Sequence, residues 1–308
     1  MKNFKLLSIC LWVLIFTNSL FAQPNYPRES KDAELVYTDL ENFVEAFSFL
    51  KEDVDTIKIL NTYYFDKASV GLQEYIRKHN LTPELMKGAI QKSPDRYKKI
   101  YNFINTLEDF KPTYNHTLNE FNKVVTQAMF PPTYLLVGAN RGIAQASKYG
   151  QLVTITRVLD NREKFVKLIV HELSHFQQAM TMGPQKYGAL YSTPDNMLGL
   201  CLREGGAEFI TYLVLNEITQ TDALDYIIDN EAELKLKFIV DLKNQDTSFW
   251  LWESIDQDEY PQLLGYAMGY QVCSAYYNSA IDKQKAINEI LGITQPDTFL
   301  EWSGYFTD

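Results

Sequence analysis

The chain has 308 residues, 46% hydrophobic and 22% charged, enough for one large or two modest domains with a real core. Its formal charge of −10 becomes −12 if residues 1–22 are removed, since that stretch holds two lysines and no acid. Such an acidic balance argues against nucleic acid and anionic membrane surfaces as main partners.

Residues 1–22 read as a secretory signal. Lys2 and Lys5 make a basic start, Leu6 to Phe16 is apolar except for Ser8, and Ala22 offers a cleavage point before Gln23. The apolar run is short for a bilayer core and no other stretch is long enough to span one, so no membrane span is expected after signal removal. The mature protein is expected to be periplasmic or extracellular. Cys10 ends a Leu-Ser-Ile-Cys stretch, but bulky Ile9 and the apolar run beyond it argue against lipid anchoring. The mature chain keeps Cys201 and Cys273, which either remain buried thiols or, export permitting it, form a disulfide. Asn80 and Asn115 head glycosylation sequons, which matter only in a glycosylating host.

Residues 23–132 read as an N-terminal helical region with no legible chemistry. Leu40, Phe43, Ala46, Phe47 and Leu50 have helical spacing. Thr82-Pro83 and Ser93-Pro94 each place a cap residue before a first-turn proline. Phe121, Val124, Val125 and Met129 continue a helical stripe that Pro131-Pro132 should end. Thr133 to Val137 and Gln151 to Thr156 read as strands, joined through a loop at 138–142. They form either a structural hairpin or, beside a peptide-binding cleft, an edge that pairs with extended substrate.

Asp160-Asn161-Arg162-Glu163 reads as a capping box, opening a helix that Gly183-Pro184 closes. This helix carries His171-Glu172-Leu173-Ser174-His175. Residues four apart share a helix face, so His171 and His175 can offer imidazole nitrogens to one zinc ion. Glu172 projects differently and can act as general base on a water activated there. A third ligand is needed, and no histidine follows His175. Residues 196–215 read as a helix containing Glu204-Gly205-Gly206-Ala207-Glu208. Glycines inside a helix are costly, and close approach to the motif helix would explain them. That places Glu204 at the metal and Glu208 in the outer shell, bonded to a ligand histidine, or on the surface.

His-Glu-x-x-His followed by Glu-Gly-x-Ala resembles the gluzincin metallopeptidases. In their aminopeptidase branch the glutamate of Asn-Glu-Gly-Phe-Ala is the third zinc ligand, a position that Glu204 matches, although Arg203 replaces the asparagine. The 28 residues between His175 and Glu204 exceed the spacing of that branch. The pattern is more similar to a group of bacterial predicted zinc-dependent proteases, which also have a Gly-Tyr-x-x-Gly-Tyr helix, here Gly265 to Tyr270 within a helix at 261–279. By this resemblance Tyr266, or else Tyr270, stabilises the oxyanion. The branch's amine-binding glutamate has no counterpart in Gly138 to Gly142, which argues against aminopeptidase specificity.

The rest reads as helical packing: 226–242, a helix capped by Asp282 and running to Leu291, and a last turn at 298–302, with Asp256 and Asp258 as solvated loop charges. The expectation is an α+β, predominantly helical protein: a zincin-like catalytic region at 133–308 with a small sheet, packed as one unit with the helical layer at 23–132. Zn²⁺ is the expected cofactor and a peptide or protein the expected substrate. A non-catalytic scaffold that keeps the metal, and a zinc hydrolase of a non-peptide bond, are the alternatives.

Overall fold

The computed structural model describes residues 26–51, 54–139, 144–192, 196–251 and 260–307. Residues 1–22, expected to be a secretory signal, the loop residues 140–142, Asp256 and Asp258 lie outside the described residues. The fold is α+β and mostly helical, with one small sheet.

Strand β1 (Leu35–Val36) precedes the N-terminal helices α1 (Thr38–Ser48), α2 (Thr56–Leu60), α3 (Val70–His79), α4 (Pro83–Lys92), α5 (Pro94–Ile104) and α6 (Leu107–Val124). Local chemistry starts several of them. Ser69 and Thr82 each accept a hydrogen bond from the backbone N–H three residues on, capping α3 and α4. Ser93 makes no such bond, so α5 begins on Pro94 alone. Helix α6 ends at Val124, earlier than the apolar stripe implied. Beyond it the Met129 backbone is taken up by Gln177, which accepts from its N–H at 3.0 Å and donates to its carbonyl at 2.7 Å.

Strands β2 (Thr133–Leu136), β3 (Ala144–Ser147) and β4 (Gly150–Thr154) complete a sheet of order β1-β2-β4-β3. β2 pairs with β4 in parallel, so the two expected strands do not form a hairpin; the antiparallel partner of β4 is β3. β3 escaped the sequence reading because Ala-Gln-Ala-Ser holds no β-branched or aromatic residue. It is an edge strand, while β2 and β4 are buried along their whole length.

The motif helix α7 (Arg162–Met182) packs against β3, β4 and the later helix α9 (Met197–Leu215). Its cap is Asn161, which accepts from the Lys164 N–H; the box on Asp160 does not form, and Asp160 pairs with Lys99 instead. Between them lies α8 (Pro184–Ser192), a helix not anticipated from Gly183-Pro184. The expected helix over 226–242 is two, α10 (Thr221–Asp229) and α11 (Glu231–Asn244), parted at Asn230. The chain closes with α12 (Leu264–Ser279), α13 (Lys283–Leu291) and α14 (Pro296–Ser303).

Helix α9 is apolar on nearly every side and buried along most of its length, which makes it the central element. Its tightest neighbour is α12. A Cβ added at Gly269 would stand 1.9 Å from the Cys201 carbonyl oxygen, and one at Gly205 would stand 2.2 Å from the Gly269 backbone. Gly205 thus serves contact with α12, not with the motif helix as expected; Gly206 faces Gln178 of α7. The contacts pair Cys201 with Gly265 and Gly269, and Gly206 with Cys273, so the two helices run in the same direction. Cys273 lies at the level of Gly206, five residues and about 7–8 Å of helix rise beyond Cys201, and both are free, buried thiols.

Replacing Gly269 by alanine should force backbone from backbone and lower stability by about 3 kcal/mol. Gly88→Ala, at an exposed α4 position with open space around it, should raise stability by about 0.5–1 kcal/mol. Denaturant midpoints of the two variants against wild type check both signs.

Candidate metal site

Helix α7 places His171 and His175 one turn apart, and α9 brings Glu204 to them. Oε2 of Glu204 lies 3.5 Å from His171 Nε2 and 3.1 Å from His175 Nε2. One donor atom from each of the three side chains falls within 4.8 Å of the others. In a tetrahedral site with bonds of about 2.1 Å, neighbouring ligand atoms stand about 3.4 Å apart, which these contacts match.

The other ring nitrogens each face an outer side chain. His175 Nδ1 is 2.9 Å from Gln178 Oε1, and the Gln178 amide is oriented by donating from Nε2 to the Arg203 carbonyl at 2.8 Å. That orientation makes His175 Nδ1 the donor. Glu208 Oε1 stands 3.0 Å from His171 Nδ1 without hydrogen-bond alignment, and its charge favours a proton there too. In the neutral tautomers both Nε2 lone pairs then face one carboxylate oxygen. A lone pair aimed at an anionic oxygen is repulsive unless a proton or a metal cation lies between them. The donor set of two imidazoles and a carboxylate fits such a cation, zinc among them.

Buried charge sets the titration of the cluster. Burial opposes the charge on His171, but Glu208 and Glu204 outweigh it and hold its pKa well above the ordinary value. Burial likewise works against the Glu204 carboxylate, yet His175, Arg203 and His171 hold its pKa well below the usual range. Arg203 donates to Glu204 Oε1 through Nε at 3.1 Å and through a terminal nitrogen, leaving Oε2 to face the histidines. Burial pushes the Glu172 pKa up, against the pull of His175 and His171. The Ala146 backbone of β3 also pulls that pKa down, and Glu172 Oε2 has no hydrogen-bond partner among the described residues.

These groups open onto a cleft of about 460 Å³, lined also by Lys78, β3 and Tyr187. Tyr266 lines it too, its ring parallel to that of His171 with 6.4 Å between centroids. Tyr270 does not: it packs edge-on against Phe209 and Tyr212 and borders a separate small cavity with Glu208. Burial lifts its phenol to about 12. Of the two tyrosines singled out from sequence, the structure thus brings only Tyr266 to the cluster. A larger surface hollow of about 620 Å³ lies elsewhere, among residues such as Arg96, Lys99, Arg157 and Asp160, and contains none of the candidate residues.

Sequence reasoning missed Gln178, Tyr187 and Lys78. Gln178 was within reach, being one turn beyond His175 on the same face. Tyr187 and Lys78 carry no local signal, since one sits on the unanticipated α8 and the other on a helix distant in sequence. No family model, no curated protein and no solved structure matches the chain.

Removing an outer partner of a ligand histidine should weaken metal binding without abolishing it. Gln178→Ala and Glu208→Ala should each lower zinc affinity about 10- to 100-fold, read by competition with a chromophoric chelator. Truncating Glu204, as a ligand, should cost more than either.

Proposed function

We propose that the chain is an exported zinc metallopeptidase of the gluzincin type, with a zincin-like catalytic region formed by α7, α9 and the small sheet. The observation that carries this reading is the buried convergence of His171, His175 and Glu204 beside a Glu172 carboxylate with one uncommitted oxygen. Export rests on the character of residues 1–22.

Zinc held by the three side chains would supply Lewis acidity, polarising a carbonyl and making water a better nucleophile. The protein's own groups do the rest. Glu172 takes the proton from the attacking water through Oε2 and returns it to the leaving amine. That oxygen has no hydrogen-bond partner among the described residues, which leaves it available for the proton. Tyr266, on the cleft wall, donates a hydrogen bond to the oxyanion as it forms. Gln178 and Glu208 orient the two imidazoles, and Arg203 holds one oxygen of Glu204.

A peptide is the substrate best suited to the cleft wall. β3 is an edge strand, and in its two-residue hairpin with β4 the Ala144 and Ala146 positions turn their backbone groups away from β4. Gln151, opposite Ala146, donates its N–H to Pro132 on the other side, in agreement with that polarity. An extended peptide can pair with such an edge.

One zinc per chain is expected, with His171→Ala, His175→Ala and Glu204→Ala each losing it. Glu172→Gln should keep the metal and the fold while turnover of whichever peptide a library digest yields falls by about 10²–10⁴-fold or more. Tyr266→Phe should spare the metal and lower kcat by about 10²–10³-fold. A Glu172→Gln protein that cleaves at the wild-type rate would remove the activity from this site and favour the scaffold reading.

A further inference from the structure

The cleft has a cation that neither the metal cluster nor its outer partners use. Lys78 belongs to the last turn of α3, in the N-terminal helical layer, yet it lines the cleft with His171, Glu172 and His175. Its ammonium is 3.5 Å from the Ala146 carbonyl on β3 and 4.0 Å from Glu74. Both contacts are long beside the 2.7–2.9 Å of a strong charge-assisted hydrogen bond. Glu74, the nearest carboxylate, is already gripped by Arg77 at 3.0 and 2.8 Å. The Lys78 side chain is about two-thirds buried, at 31% exposure. Arg203, the other cation of the cleft wall, is committed to Glu204.

We propose that Lys78 is a specificity-determining residue that binds a substrate carboxylate at the rim of the cleft, next to the Ala146 position of β3. This rests on the peptidase reading of the same site. An ammonium held at the edge strand, with its donors only loosely engaged, suits a peptide whose carboxylate arrives as the chain pairs with β3. That carboxylate belongs either to an acidic side chain or to the peptide's C-terminus; the chemistry recognised is the same. Burial, outweighing the pull of Glu74, holds the Lys78 pKa below its ordinary value, and a bound carboxylate would restore the partner that burial makes valuable. On a protein of net negative charge, a cation here also separates acidic ligands from the repulsion they meet elsewhere.

Binding, measured apart from turnover, tests this. Zinc-loaded Glu172→Gln protein is titrated calorimetrically with four acetylated tetrapeptides. One pair differs in a free or amidated C-terminus, and the other, both amidated, in an internal Glu or Gln. The acid of at least one pair should bind about 10- to 100-fold more tightly than its neutral twin. That ratio should collapse in Glu172→Gln/Lys78→Met, which keeps the aliphatic stem, and persist in Glu172→Gln/Lys78→Arg. The pair that discriminates identifies the source of the carboxylate. Equal affinity for acid and neutral peptides, no binding of any of them, or a ratio unchanged by Lys78→Met overturns the proposal, the last because the metal would then be the anion's partner. A library digest of wild type separately tests the peptidase reading, so loss of turnover with a Lys78-dependent binding ratio would fail that reading alone.

Discussion

Glu204 is a carboxylate on the most buried helix of the protein, and burying it is tolerable only because of what surrounds it. A charge removed from water costs several kcal/mol unless it is paired and hydrogen-bonded. Here Arg203 takes one oxygen, while the other faces His171 and His175. Two features of the fold serve that meeting. Helix α7 must lie across α9 at the level of Glu204, and α9 must be covered on its other faces by apolar packing.

The glycine contact between α9 and α12 completes that enclosure. With Gly205 and Gly269 backbone to backbone, α12 comes close enough to bring Tyr266 to the cleft wall while Tyr270 stays in the packing behind it. Cys201 and Cys273 fall on either side of the crossing, and their thiols are pushed towards the neutral form by burial. The helices are joined by shape and dispersion, with no covalent tie.

The sheet ties the N-terminal helices to the same place. α3 packs on β2 and β4, and β3 continues the sheet to the cleft, where Ala146 lies beside Glu172 and its carbonyl faces Lys78. Two groups of opposite charge, from helices far apart in sequence, thus share one edge-strand residue. The N-terminal layer is therefore part of the cleft as well as a support for it.

What the sequence determined by itself was the chemistry that repeats at helical spacing. His171 and His175 fall on one face because four residues make about one turn, and Glu204 and Glu208 share a face of α9 for the same reason. Strong apolar patterning made most helices legible, as did caps at Thr82 and Asp282 once a helix followed them. β3 and α8 were not legible, because Ala-Gln-Ala-Ser lacks strand-forming side chains and Gly183-Pro184 signals an end without saying what begins. Only the tertiary structure decided that Gly205 meets α12, that Tyr266 and not Tyr270 reaches the cleft, and that Lys78 stands at its rim. These are contacts between segments far apart along the chain. Local spacing says which face a side chain occupies, but the partner of that face is chosen by how helices pack, and no periodicity within one helix encodes it.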